Sequence, residues 1–361
     1  MSQSFGKNLK VTIFGSSHQE YMGVVMDNVK IGFEIDRQKL DEFMQRRAPG
    51  KSKFTTKRKE ADKVIFISGV KENKIISKTI CALIKNEDFK SKDYKNLNDI
   101  PRPSHADYTS FIKYGKEMDM NGGGPFSGRL TAPFCLAGGI AKQILEEKNI
   151  KISSRIKNIG GIEDIKIDLA NPPMDDLEKN SHKEIPVLDE KIEEEIRKLL
   201  DEAEGEGDSL GGICQVFGEN IPEGLGDPIF DSFEANISHL SFGIPGLRAI
   251  SFGEGISSFK MKGSAHNDQF EIKDGNIRTI TNNAGGVVGG ITNGMPIVFD
   301  LIFKPTPSIS ISQKSFSIKE KKEKILQIKG RHDPCFCLRT TPIGESILAL
   351  TVLDFLNEWK Y

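Results

Sequence analysis

The sequence predicts mixed helices and strands with antiparallel pairing, and three features carry that reading. Short segments of strand type recur, such as 9–15 (LKVTIFG) and 62–70 (DKVIFISGV). Amphipathic helical stripes occupy 36–47 and 188–203. The third feature is residues 281–306, TNNAGGVVGGITNGMPIVFDLIFKPT, where glycines and asparagines precede an apolar run. That pattern suits a hairpin entering an antiparallel sheet. The same glycines would let backbone N–H groups approach a phosphate or a flat polar ring, so hairpin and ligand loop fit these residues equally. No Lys-Ser or Lys-Thr pair follows at P-loop spacing, and Gly-x-Gly-x-x-Gly is absent there.

In chain order, 9–15 and 23–29 read as strands around a loop at 16–20 that holds His18. Asp36 is placed to cap a helix with Leu40, Phe43 and Met44 on its apolar face, stopped by Pro49-Gly50. A basic segment supplying Lys51, Lys53, Lys57, Arg58 and Lys59 reads as solvated surface. Ser77 is read as opening a short helix through Ile80, Leu83 and Ile84, and 86–115 as one long polar loop. Gly122-Gly123-Gly124-Pro125 then leads through Ser127 and Arg129 into a helix at 130–147. Residues 163–187 read as a charged surface excursion. The helix Leu188–Ala203 presents Leu188, Ile192, Ile196, Leu199 and Ala203 on one stripe and ends at Gly205 and Gly207. GGICQVFG reads as a strand, 221–255 as turn, helix and strand, and Ile343–Trp359 as the closing helix.

At 361 residues the chain can bury a large core, and without repeats or low-complexity linkers a single domain spanning 1–361 is expected. Charged residues at 28 % and hydrophobic ones at 37 % exclude a disordered chain. A net charge of −1 gives no overall attraction to nucleic acid, so any anionic ligand must be held by local basic groups. The apolar runs fall short of the roughly 20 residues a membrane span needs. The N-terminus lacks the apolar core of a secretory signal. Five cysteines without Cys-x-x-Cys point to reduced thiols in a cytoplasm.

Three histidines, His18, His105 and His332, lie in polar loops punctuated by Gly or Pro, and Asp107 and Asp333 stand beside the last two. A carboxylate can fix an imidazole tautomer and suit it to acid/base work near neutrality. No His-x-x-x-His or His-Glu-x-x-His spacing supports a metal site. His182, His239 and His266 read as structural or surface residues. Arg129, Arg331 and Arg339 are loop arginines that, if they converge, would hold a multiply charged anion. Unaided, the residues reach an anion site with acid/base histidines.

These stretches also resemble the chorismate synthase family along nearly the whole chain. The matching motifs are FGSSH at 14–18, QRRAPG at 45–50, KRKEADKV–SGV through 57–70, SKDY at 91–94, RPSHADYT at 102–109 and KYG at 113–115. GGG–FSGRLTA near 122–132, GDSLGG at 207–212, IPEGLGDPIFD, TNNAGG–GGITNG, KPT and GRHDPC follow in the family's order. The resemblance implies an α+β fold with a helical layer between antiparallel β-sheets, assembled as a homotetramer. It implies a carbon–oxygen lyase that eliminates phosphate from 5-enolpyruvylshikimate 3-phosphate in a 1,4 sense, giving chorismate, with reduced FMN required. By the same resemblance His18 protonates or neutralises the leaving phosphate, His105 holds the flavin reduced and anionic, and Asp333 helps take the proton near flavin N5. Arg47, Arg129 and Arg339 become substrate ligands. Ser127, Gly289, Lys304, Pro305, Thr306, Pro307, Ser308 and Arg331 become FMN contacts. Ser16, Gln19, Ala48, Lys53, Pro125 and Leu130 depart from the family pattern. Those departures motivate a second reading, a flavin- and anion-binding relative with weak or lost lyase activity. A flavin reductase using NAD(P)H is a third.

Overall fold

Alternation of burial decides the first sheet. The structure, a computed structural model, describes residues 3–50, 54, 62–86, 99–328 and 333–358. β1 (Ser4–Phe5), β2 (Lys10–Gly15), β3 (Tyr21–Asp27) and β4 (Val64–Ser68) open the chain; a small ribbon, β5 (Val70–Lys71) with β6 (Lys74–Ile75), leads to β7 (Thr79–Lys85). All pairings are antiparallel in the order β1-β2-β3-β7-β4. The helix expected after Ser77 is therefore strand β7. Ile80, Ala82 and Ile84 are buried in alternation, a period of two that a helix cannot satisfy. The long loop expected at 86–115 also contains a helix, Asp107–Tyr114, which Pro101 and Pro103 do not interrupt because both precede its first turn.

The second sheet is built from β8 (Lys151–Ile159), β9 (Ile162–Glu163), β10 (Gly212–Glu219), β11 (Leu247–Phe252) and, after two hairpins, β16 (Ile297–Phe303). Its order is β11-β16-β10-β8-β9, again antiparallel. The hairpins are β12 (Phe270–Lys273) with β13 (Asn276–Thr279), and β14 (Val287–Val288) with β15 (Ile291–Thr292); β17 (Gln313–Ser317) and β18 (Lys322–Leu326) form a third. The glycine-rich stretch 281–294 is thus a hairpin feeding β16. Residues 163–187 do more than cover the surface. Ile167, Met174 and Leu177 pack with Phe217 and Val298 on one face of this sheet, and buried Asp164 receives the Arg155 guanidinium at 2.9 Å.

Between the sheets lies a helical layer. Among the described residues the helices are α1 (Arg37–Arg47), α2 (Asp107–Tyr114), α3 (Thr131–Glu146), α4 (Met174–Asn180), α5 (Glu190–Glu206), α6 (Phe233–Ser241), α7 (Gly263–His266) and α8 (Thr341–Glu358), and α1, α3, α6 and α8 pack on one another as the layer. α3 packs on β2, β3 and β7, α8 packs on β8 and β10, and the two helices pack on each other. Both are apolar nearly all round, as a helix sealed on every side must be. They touch closely at Gly138, where a Cβ would stand 2.1 Å from the Ser346 side chain. Asp36 caps α1 by accepting from the Lys39 N–H at 3.0 Å, and Asp189 caps α5, which ends on left-handed Gly207. The stripe of α5 runs through Ile196, Leu200 and Ala203, one residue off the expected Leu199. Lys51, Lys53, Lys57, Arg58, Lys59 and Trp359 lie outside the described residues.

One carboxylate ties this layer together. Fully buried Glu345 on α8 accepts both Arg46 Nη atoms at 3.1 and 2.5 Å, Lys142 Nζ at 2.8 Å and the Ser154 hydroxyl at 2.8 Å. It thereby joins α1, α3, β8 and α8. Burial pushes its carboxyl up, but Arg46 and Lys142 outweigh that and hold it at about 2. A carboxylate depressed in this way stabilises the fold above its unfolded pKa and loses that contribution as pH falls through about 2. Glu345→Gln is expected to cost about 3–5 kcal/mol at pH 7, since it takes the carboxylate charge from buried Arg46 and leaves Lys142 only its longer contact to Glu178 at 3.5 Å. In urea denaturation at pH 7, 4 and 2.5, the gap between variant and wild type should narrow steadily toward acid; a constant gap would contradict the assignment.

Candidate active site

The connection between β2 and β3 meets the glycine loop that leads into α3. His18 sits in the β2–β3 connection, where the Ser17 hydroxyl donates to the Gly122 carbonyl at 3.2 Å and lies 3.1 Å from His18 Nδ1. The hydroxyl proton is then committed, so the ring nitrogen donates and the serine accepts. Gly122, Gly123 and Gly124 take φ of +60°, +91° and +51°. A Cβ on Gly122 would stand 1.9 Å from His18 Cε1, so the imidazole lies directly on this glycine. A Cβ on Gly123 would lie 3.5 Å from His105 Nε2 and 3.6 Å from the Ser127 side chain. The glycine loop therefore runs between the two histidines, with Ser127 at its far end.

The arginines converge on a buried acid. Ser127 Oγ accepts from the Arg129 backbone N–H at 3.3 Å, and Arg129 Nε donates to Asn86 Oδ1 at 3.1 Å. Arg129 Nη1 also pairs with Asp62, whose other oxygen receives Arg47 Nη2 at 2.6 Å and Nε at 3.1 Å. Burial pushes the Asp62 carboxyl up, yet the two guanidiniums hold it below its usual range. Arg47 further donates to the Thr131 hydroxyl at 3.2 Å. Arg339 Nε donates to the Arg47 carbonyl at 3.0 Å and its Nη1 to Asp333 at 3.0 Å. Burial lowers Arg339 to about 10, with Arg47 and Arg129 adding and Asp333 and Asp62 opposing, so it stays charged at neutral pH.

A second knot holds His105. Its Nδ1 lies 2.7 Å from Asp107 Oδ1, and an ionised carboxylate only accepts, so Nδ1 carries the proton and Nε2 presents a lone pair toward Gly123. Burial, then Arg102 and Lys304 against the opposing Asp107, leaves the imidazole pKa below its ordinary value. Asp107 is depressed well below the carboxylate range, since hydrogen bonds from Arg102 and His105 overcome its burial. Arg102 donates to Asp107 at 2.7 and 2.8 Å and to the Ser308 hydroxyl at 3.1 Å. Lys304 Nζ donates to the Ser104 carbonyl on the same loop, and burial with Arg248 lowers its pKa. Thr306 Oγ1 is buried and has no hydrogen-bond partner among the described residues.

Hydrogen bonds thus run from Asp333 through Arg339, Arg47, Asp62, Arg129 and Asn86 to the Ser16 and Gln19 carbonyls that flank His18, the His18 ring lies on Gly122, Gly123 faces His105, and Arg102 lies between His105 and Ser308. Of the residues expected from sequence, His18, His105, Asp333, Arg47, Arg129, Arg339, Ser127, Lys304 and Ser308 belong to this constellation, and Pro305, Thr306 and Pro307 lie on the segment between the last two. Gly289 stands apart, in the β14–β15 turn beside the start of α6, and no contact among the described residues links it to the constellation. Arg331 and His332 lie outside the described residues. Asp62, Asn86 and Arg102 also belong to the site without being singled out by local sequence, although Asp62 lies in KRKEADKV and Arg102 in RPSHADYT. Asp62 carries a signal only in three dimensions, a left-handed φ of +48° at a 2 % exposed acid. His182 and His239 are exposed and His266 half-buried, away from the site. No group of three or more described His, Cys, Asp or Glu residues is placed to hold a metal ion, and no described helix is long and apolar enough to cross a membrane.

Gly122 and Gly123 offer a direct check of this packing. Alanine at either costs about 1–2 kcal/mol for a left-handed backbone. Gly122→Ala alone should also displace the His18 ring, read as a shift of its NMR resonances that Gly123→Ala does not produce. Identical His18 resonances in both variants would contradict the contact.

The family model described as chorismate synthase matches residues 9–356. A chorismate synthase of Christiangramia forsetii is 41 % identical, covering 99 % of this chain and 98 % of that protein. One of Archaeoglobus fulgidus is 39 % identical over 97 % and 96 %, and one of Lancefieldella parvula 38 % over 99 % and 97 %. A solved structure titled as the crystal structure of chorismate synthase superposes with a TM-score of 0.79 at 26 % identity, covering 98 % of this chain and 93 % of that one. The α+β sandwich, the convergent site and these matches agree: the chain belongs to the chorismate synthase family.

Proposed function

We propose that the constellation of His18, His105, Asp333 and three arginines binds 5-enolpyruvylshikimate 3-phosphate beside reduced FMN and eliminates its phosphate to give chorismate. The carrying observation is the hydrogen-bond chain itself, which unites loops more than 300 residues apart, from the loop of His18 to Asp333, beside glycines whose lack of a Cβ lets the His18 ring pack against them. The polar groups suit a flavin phosphate and ring edge: Lys304 and the Thr306, Ser308 and Ser127 hydroxyls can donate, and His105 Nε2 can accept. Arg331 and Gly289 enter this list by resemblance alone. When bound, reduced FMN would supply an electron-rich ring able to lend charge to the breaking allylic C–O bond.

The chain's own residues do the rest. Arg129, Arg339 and Arg47 make a positive wall for a substrate bearing phosphate and carboxylates; Arg47, fully buried on Asp62, acts chiefly by shaping it. His18 is positioned to hand a proton to the departing phosphate oxygen. His105, held by Asp107, turns Nε2 toward the flavin side, where a nearby negative charge favours its protonated form. Asp333, pinned by Arg339, is the proton acceptor. A homotetramer acting in the cytoplasm is part of the same reading.

The deciding assay is strictly anaerobic: purified protein, chemically reduced FMN and substrate, with phosphate release matched to chorismate absorbance. No phosphate released would overturn the proposal in favour of a binding relative. His18→Ala should lower kcat by about 10²–10⁴-fold, the usual contribution of a positioned acid. Arg129→Ala should act mainly on KM, because it removes binding to a charge present before and during reaction. A KM effect for His18 and a pure kcat effect for Arg129 would reverse the assignments.

A further inference from the structure

We propose that Asn86 is a positioning residue that fixes His18 and Arg129 relative to one another; the inference rests on the roles just given to those two groups. Asn86 follows β7 directly and is 1 % exposed. Its side-chain amide is used on both sides. Nδ2 donates to the carbonyls of Ser16 at 3.2 Å and Gln19 at 2.6 Å, and Oδ1 accepts from Arg129 Nε at 3.1 Å. Its backbone N–H donates to the Glu20 carbonyl at 2.9 Å. The two side-chain-bonded carbonyls bracket His18, so one planar group grips the histidine's loop with its donors and the arginine with its acceptor.

Only an amide carries donors and an acceptor in that fixed plane. A carboxylate would keep the arginine but face two carbonyls with lone pairs, and an apolar residue would hold neither. Arg129 is gripped at Nη1 by Asp62, so Asn86 sets the rotation of the guanidinium about that anchor. The amide therefore ties the binding of the substrate's charge to the placement of the acid that meets its leaving group.

Asn86→Asp separates the two grips, since it keeps an acceptor for Arg129 and releases the 16–20 loop. Its kcat is expected to fall about 100-fold, the scale of an ångström-sized misplacement, with KM changed by less than about threefold. In a His18→Ala background the same substitution should cost almost nothing more, because groups acting as a unit are non-additive. Additive losses would overturn the proposal. In the ligand-free protein, the His18 ring resonances should shift in Asn86→Asp but not in Asn28→Ala, a surface amide remote from the site; unchanged His18 resonances in Asn86→Asp would also overturn it. Should Asn86→Asp not fold, Asn86→Ser, which shortens the side chain without adding charge, is read in the same cycle. If His18→Ala retains full kcat while the Asn86 variant shifts the ring, the acid role of His18 fails and the coupling stands.

Discussion

Crowding of like charge is the constraint on which the site depends. Arg47, Arg129 and Arg339 lie within reach of one another in a water-poor interior, where uncompensated guanidiniums would drive the loops apart. Asp62 resolves this by accepting from two of them at once, and Asp333 takes the third. The acid must be small, buried and turned into a left-handed backbone to present one oxygen to each arginine. Neighbouring residues on α1 share out the work. Arg46 turns to Glu345 and locks the helical layer, whereas Arg47 turns to Asp62 and shapes the site. Stability and function therefore branch from adjacent positions of one helix end.

The legible part of the sequence was the chemistry that is local. His18, His105 and Arg129 sit among glycines and polar residues, and the α1 cap at Asp36 with its Leu40, Phe43 and Met44 face was readable from spacing. The unreadable part was non-local. Asn86 looks like any polar residue closing a strand, and its meaning comes from carbonyls 67 and 70 residues earlier and an arginine 43 residues later. In β7, Ile80, Leu83 and Ile84 also satisfy a helical stripe, and only pairing with β3 and β4 settles a run that short. The sandwich order itself came from family resemblance, since no spacing distinguishes it from other α+β arrangements.

Two departures from the family pattern have simple structural accounts. The Gln19 side chain is exposed and its backbone does not take positive φ, so the position asks nothing that only glycine could give. Pro125 occupies the second position of a turn closed by the Ser127 N–H donating to the Gly124 carbonyl at 3.3 Å. That position favours proline and uses no N–H in closing the turn. Both substitutions keep the path of the loops that carry His18 and Ser127, which weakens the motive for a decayed relative.

The placement of the arginines follows from the sandwich. α3 and α8 are buried along their length, so their polar ends must emerge where the layer meets a rim. Both begin at the same rim: Arg129 precedes α3 by two residues, Arg339 precedes α8 by two, and Arg47 ends α1 between them. Two helix N-termini bring partial positive charge to that point, and the three guanidiniums add full charges. A protein of net charge −1 thus sets three guanidiniums against two carboxylates, a locally positive spot, without becoming basic overall. Because both helices are wedged together at Gly138 and Ser346, the spot is rigid, and the anion it attracts meets groups already in position.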